Sequence, residues 1–170
     1  MIKRLLFFIS ILISGCVNIP DNILPVNGFD VDQYLGTWYE IARLDHSFER
    51  GLERVTAEYS LRDDGGIKVI NKGFDPQKKR WKEVIGKAYF VDDSDLGKLK
   101  VSFWGPFYSS YNIIAFDKKN YSYSMVCGPN KSYLWILARE PHMEESLKLE
   151  LMNRAKDMGF ETDKLIRVTH

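Results

Sequence analysis

Few side chains in this 170-residue sequence could do covalent or metal chemistry. It has two cysteines, Cys16 and Cys127, and three histidines, His46, His142 and His170. The histidines lie far apart and lack the spacing of a metal site, so we expect neither a metal nor another cofactor. The sequence also lacks a Gly-x-Ser-x-Gly elbow, a phosphate-binding glycine loop and a Cys-His-Asn arrangement. Cys127 is the one candidate nucleophile, and no residue beside it would lower the pKa of its thiol. We interpret Cys127 as structural and the protein as a non-enzyme.

Cys16 lies in a setting that indicates lipid attachment. Residues 1–4 are a short basic start, and the apolar run that follows is typical of a secretory signal and too short to span a bilayer. It ends in Ile13-Ser14-Gly15-Cys16, which resembles the lipobox of bacterial lipoproteins. The resemblance implies that residues 1–15 are removed and that the Cys16 thiol receives a diacylglyceryl group. A fully processed lipoprotein carries three acyl chains, and two chains already anchor stably. Val17 occupies the position where Asp favours the inner membrane, so the resemblance implies a lipid anchor in the outer membrane.

Length and charge predict a single domain behind this anchor. The formal net charge of +1 argues against the basic surface that binding of nucleic acid requires. Once Cys16 is acylated, Cys127 is the only remaining thiol, so an intramolecular disulfide cannot form. We predict a signal peptide over residues 1–15, the lipidated cysteine and an extended tether over 16–29, and one globular domain over 30–170.

Short strand-like runs follow one another through the predicted domain at the spacing of an antiparallel barrel or sandwich. Eight strands are predicted, over residues 37–44, 55–62, 67–74, 81–91, 99–104, 111–117, 123–127 and 133–139. Residues 143–158 break the pattern, because Leu147, Leu151 and Ala155 repeat every four residues and predict an amphipathic helix. Residues 165–168 offer one more short strand or a tail.

Eight strands followed by one helix resemble the lipocalin family, and two motifs carry that resemblance. Gly36-Thr37-Trp38 matches the Gly-x-Trp signature of the first strand, and Arg139 closes the eighth. In lipocalins this Trp plugs the closed end of the barrel and the Arg lies across it from outside. Asp117 is all that remains of the second, Thr-Asp-Tyr motif. Residues 34–43, 48–52 and 101–107 look like the bacterial lipocalins related to apolipoprotein D, and the resemblance covers residues 28–168. It implies an all-β fold, an eight-stranded antiparallel up-and-down lipocalin barrel with one C-terminal α-helix packed outside.

Alternation along the strands predicts which side chains face the barrel interior. Trp38 must point inward, so Glu40 and Ala42 are expected to do the same. Strand seven leaves two alternatives, Ser124 with Val126 or Tyr123 with Met125 and Cys127. On the other strands, the turns and the pattern of the family that the sequence resembles set which face is inward. Among the inward positions, which also include Ala115, we predict as ligand-binding residues Glu40, Ala57, Tyr59, Val69, Val84, Val101, Phe103, Tyr111, Ile113, Tyr133 and Trp135. The small and apolar members favour an acyl chain, and the tyrosines suit a polar head at the mouth.

The loop over residues 45–54 is predicted to be a lid above the open end. Phe48 and Leu52 could close over a ligand tail, whereas Arg50 or Arg54 could meet a phosphate or carboxylate. A solvated, charged loop is the alternative.

Three functions remain open at this point. The resemblance implies a protein that binds, stores or transports a fatty acid or lysophospholipid for membrane maintenance under stress. A lipid-modifying enzyme using Cys127 or Glu40 is the second possibility, and a passive envelope protein with a filled barrel is the third. Glu40 could bond the ligand head, pair with Arg43 or Lys72, or support the base of the barrel. A homodimer is also left open.

Overall fold

The computed structural model describes residues 17–170. The predicted signal peptide and Cys16 lie outside these described residues. A short helix α1 (Val31–Tyr34) precedes the first strand, and helix α2 (Glu145–Asp157) follows the eighth. The strands are β1 (Gly36–Leu44), β2 (Glu53–Leu61), β3 (Ile67–Asp75), β4 (Arg80–Phe90), β5 (Lys98–Trp104), β6 (Phe107–Phe116), β7 (Tyr123–Cys127), β8 (Leu134–Ala138) and β9 (Leu165–Arg167).

The first eight strands form a closed antiparallel barrel. Each of β2 to β7 pairs with the next strand in sequence, β8 pairs with β1, and β1 pairs with β2, so the sheet has no open edge within the barrel. The short strand β9 pairs with the C-terminal part of β1. Helix α2 lies outside the barrel and buries Leu151 and Ala155 in a cluster with Met125 and Ile136. The predicted fold class is therefore confirmed, including the position of the helix.

Two β-bulges make two of the predicted inward positions wrong. The register of β1 shifts between Glu40 and Ala42, and that of β6 shifts between Ile113 and Ala115. An extra residue in one strand reverses which face the following side chains occupy. Ala42 and Ala115 therefore pack in the outer core with α2, and Arg43 turns toward the barrel interior.

Strand β7 shows which of its two faces is internal. Val126 packs in the cluster inside the barrel, and Ser124 accepts a hydrogen bond from Tyr34. Met125 and Cys127 pack in the outer core with α2. Cys127 therefore points away from the barrel interior.

Residues 17–29 lie against the barrel wall. The backbone carbonyl of Asn18 accepts a hydrogen bond from the Asn112 side chain, and Val26 N–H donates to Ile113 O at 2.9 Å. Ile23 and Phe29 are buried. A tether role for this segment stays a prediction. Within residues 17–170, no helix has the length and apolar character needed to cross a membrane.

Candidate ligand-binding cavity

The barrel encloses a cavity of about 790 Å³, within the usual size range of small-molecule sites. All eleven predicted ligand-binding residues line it: Glu40, Ala57, Tyr59, Val69, Val84, Val101, Phe103, Tyr111, Ile113, Tyr133 and Trp135. Their contact with a ligand stays a prediction. Ala57, opposite Trp38 on β1, is a small residue of the cavity wall, whereas the space beside Gly86, opposite Val69 on β3, is taken by the Phe103 ring.

Trp38 and Arg139 close one end of the barrel. The Trp38 side chain is fully buried, and its Nε1–H donates to Tyr34 O at 2.8 Å. The Arg139 guanidinium lies 4.0 Å from the centre of the indole ring, a cation–π contact. Arg139 also donates to the carbonyls of Gln33 and Thr37, at 2.6 and 3.0 Å. One cationic side chain thus joins α1, β1 and the end of β8, which fixes the plug.

Three tyrosines form a polar floor above this plug. Tyr34 comes from α1, Tyr59 from β2 and Tyr111 from β6, and all three line the cavity. The Tyr111 hydroxyl lies 2.8 Å from both other hydroxyls, and Tyr34 donates to Ser124 Oγ at 3.3 Å. Burial raises the pKa of Tyr34 to about 12 and the pKa values of Tyr59 and Tyr111 well above their ordinary value. The floor is therefore polar but uncharged.

Glu40, Arg43 and Glu49 form a buried ionisable cluster on the cavity wall. Arg43 Nη1 donates to Glu40 Oε1 at 2.7 Å, and Arg43 Nη2 donates to the carbonyls of Glu49 and Leu52. Burial and the Glu49 carboxylate raise the pKa of Glu40 well above its ordinary value, and burial raises that of Glu49. Two neighbouring carboxyls in this buried position are therefore harder to ionise than carboxyls in water, and the Arg43 guanidinium partly offsets that cost. Among the roles left open for Glu40, the structure shows the pairing with Arg43, while Lys72 pairs with Glu83.

The β1–β2 loop covers part of the open end, as a lid would. Phe48 and Leu52 line the cavity, and Glu49 Oε2 accepts a hydrogen bond from Trp135 Nε1 at 3.1 Å. The two candidate cations of the loop do not line the cavity. Arg50 pairs with Asp45 at 2.7 Å, and the Arg54 guanidinium lies over the Phe74 ring outside it.

Several lining residues were missed by the sequence reasoning. Phe29 and Tyr34 close the floor, and their signal was present as two aromatic residues just before the Gly-x-Trp motif. Glu49 gave no signal, because its burial depends on Trp135, which lies 86 residues away in the sequence. Trp104 and Phe107 stand at the mouth and are exposed by 81% and 62%.

The candidate nucleophile Cys127 does not lie in this cavity. Cys127 is fully buried in the outer core, and burial raises the pKa of its thiol to about 12. A thiol in that setting stays protonated and unreactive at ordinary pH. Among residues 17–170, no group of three His, Cys, Asp or Glu side chains could hold a metal ion.

A closed eight-stranded barrel with a plugged end and an apolar cavity defines a lipocalin, a class of barrel that holds one small ligand. The model of the lipocalin-like domain matches residues 29–170, so the chain belongs to the lipocalin family. It is 52% identical over 167 residues to the outer membrane lipoprotein Blc of Vibrio cholerae, covering 97% of this chain and 98% of that protein. Apolipoprotein D of mouse is 33% identical over 144 residues, covering 81% and 75%.

These relatives also confirm the predicted location. The chain is a lipid-anchored outer-membrane lipoprotein of this family. The bacterial proteins to which it is 52–55% identical, over most of their length, are described as outer membrane lipoproteins. Among solved structures, insecticyanin from the tobacco hornworm Manduca sexta has a TM-score of 0.71 at 21% identity, covering 90% of this chain and 87% of that one. That similarity shows the fold alone.

Proposed function

We propose that the protein binds one fatty acid or lysophospholipid in its barrel and stores or transports it for membrane maintenance under stress. The observation that carries this proposal is the cavity of about 790 Å³, closed at one end and lined mostly by apolar side chains. Burial of apolar surface contributes roughly 25 cal/mol per Å², so an acyl chain gains most in such a space. The open end leaves room for a polar head.

The mouth offers groups that suit such a head. Tyr133 and Lys82 both line the cavity on the open side, and Lys82 Nζ lies 3.0 Å from Asp75 Oδ2. A hydroxyl and an ammonium group both donate hydrogen bonds to a phosphate or carboxylate. The acyl chain then extends from the mouth past Val84 and Val69 toward the tyrosine floor.

Native mass spectrometry tests the proposal with two probes, hexadecanoic acid and a lysophosphatidylethanolamine. A full-length chain carrying Cys16→Ser avoids a covalent lipid in the measured mass. We expect one unmodified ligand per chain. Ala57→Phe should fill the cavity and abolish the complex, whereas Glu58→Phe, on the exposed outer face of the same strand, should bind normally. Conversion of the lipid would instead support an enzyme, and no uptake by the folded protein would refute the carrier.

The attachment site is part of the same proposal. Cys16 is proposed to carry the lipid anchor after removal of residues 1–15. A Cys16→Ser variant should then leave the outer-membrane fraction, and Cys127→Ser, at the other cysteine, should remain in it. If Cys16→Ser still fractionates with the outer membrane, Cys16 is not the anchor.

A further inference from the structure

The deep part of the cavity is more polar than an acyl chain requires. The hydroxyls of Tyr34, Tyr59 and Tyr111 meet there, among apolar neighbours such as Val69 and Ile113. Each hydroxyl taken out of water must be compensated by a hydrogen bond, so phenylalanine would fill the same space without that requirement. A chain ending in a methyl group would use none of these three hydroxyls.

The three tyrosine hydroxyls form a chain of hydrogen bonds, and the Tyr59 oxygen at its end can accept one more. A tyrosine hydroxyl carries a single hydrogen. Because Tyr34 donates to Ser124, the Tyr34 oxygen can accept from Tyr111, and the Tyr111 oxygen can then accept from Tyr59. In this order, no donor among the described residues bonds to the Tyr59 oxygen, which can accept one more hydrogen.

A second polar atom, on a diagonal neighbour of Tyr59, has no hydrogen-bond partner. Asn71 lines the cavity, and its buried Oδ1 has no hydrogen-bond partner. In the register of β2 and β3, Tyr59 pairs with Val69 and Ala57 pairs with Asn71. Tyr59 and Asn71 are therefore diagonal neighbours on the inner face, with Cα atoms about 7–8 Å apart. An unpaired buried acceptor is unfavourable unless a ligand supplies the donor.

We propose that Tyr59, Tyr111 and Asn71 form a second polar subsite that recognises a hydroxyl group on the distal part of the ligand's acyl chain. This inference rests on the proposed lipid-binding function and names a class of ligand, lipids with a hydroxylated chain. A hydroxyl fits because its single hydrogen can be donated to Asn71 Oδ1 or to the Tyr59 oxygen, both of which can accept one. A carboxylate does not fit, since it has no hydrogen to donate to the Tyr59 oxygen or to Asn71 Oδ1.

The test compares affinities for hexadecanoate, 16-hydroxyhexadecanoate and 3-hydroxyhexadecanoate by quenching of tryptophan fluorescence. Without a partner, the distal hydroxyl would weaken binding roughly tenfold or more. We expect 16-hydroxyhexadecanoate to bind the wild type at least as tightly as hexadecanoate. The 3-hydroxy analogue carries the same group beside the head, so it controls for polarity alone.

Variants locate the effect. Tyr59→Phe should shift the affinity ratio of 16-hydroxyhexadecanoate to hexadecanoate by about tenfold toward hexadecanoate. Asn71→Leu should shift the same ratio in the same direction, and it keeps the test valid if Tyr59→Phe folds poorly. The ratio is the readout because a general loss of packing lowers both affinities. Tyr39→Phe makes the same chemical change on the outer face of β1, where the ring packs against His170, and should not change the ratio.

Different results would refute the hydroxyl subsite and the proposed lipid-binding function. If hexadecanoate binds but the 16-hydroxy analogue is tenfold weaker in the wild type and in both variants, the subsite is refuted and the carrier stands. If Tyr59→Phe weakens both ligands equally, the hydroxyls support the fold and the subsite is likewise refuted. If neither fatty acid nor lysophospholipid binds, the proposed function fails and the inference with it.

Discussion

Removal of the Glu40 carboxyl should destabilise the fold more than any exposed ion pair would. Glu40 and Arg43 are 2.7 Å apart, and their side chains are only 4% and 1% exposed. Removing one partner of a buried pair costs about 3–5 kcal/mol, because the other charge stays buried without compensation. In Glu40→Ala, the Glu49 carboxyl still lies near Arg43, and the carbonyls of Glu49 and Leu52 still accept bonds from Arg43. We therefore expect the lower end, about 3 kcal/mol, or a fall in Tm of about 6–12 °C for a chain of this length.

Urea unfolding followed by circular dichroism at pH 7 measures this loss. The double variant Glu40→Leu with Arg43→Met should recover most of it, because an apolar pair of similar size has no buried charge. Glu161→Ala breaks the pair with Lys164, whose two side chains are 70% and 68% exposed, and should leave the midpoint unchanged. A loss below about 1 kcal/mol for Glu40→Ala would contradict the reasoning, and so would a double variant less stable than the single one.

Three further changes probe the pH response, the free thiol and the plug. Burial and Arg43 lower the pKa of His46 to about 4, whereas the unfolded chain takes up that proton near pH 6.5, so stability present at neutral pH is lost on acidification. Between pH 7 and 5, the free energy of unfolding of the wild type, measured in urea, should fall by about 2 kcal/mol more than that of His46→Gln. If the two proteins differ in stability by the same amount at both pH values, His46 does not cause this loss. Cys127 should react with a thiol reagent at pH 8 only after unfolding, and Cys127→Ser should bind lipid normally; a fast native reaction would show a different environment. Arg139→Met should cost about 2 kcal/mol through the lost contact with Trp38 and lost carbonyl bonds, measured by the same denaturation, and an unchanged midpoint would show that the plug does not need it.

Local patterns in the sequence were sufficient for most of the barrel. Strand positions follow from period-two alternation, which each segment carries by itself, and the predicted strand β7 has the bounds seen in the structure. The helix could be predicted because Leu151 and Ala155 recur on one face. The eleven predicted lining positions follow the same alternation once Trp38 sets the inner face of β1 and the turns and the lipocalin pattern set that of the other strands. These features depend on neighbouring residues in the chain, so the sequence alone could indicate them.

Other features depended on contacts between distant residues. Bulges in β1 and β6 place Ala42 and Ala115 outside the barrel, because each bulge is defined by the partner strand rather than by the bulged residues. Strand β7 was ambiguous for the same reason, since both of its faces are apolar and only the position of α2 places Cys127 outside. Glu49 became part of the cavity wall through Trp135, and the polar floor formed only when α1, β2 and β6 came together. The sequence thus determined the anchor motif, the barrel and its signature pair, whereas the tertiary structure decided which polar groups share the cavity, because burial and hydrogen bonding are properties of the closed barrel.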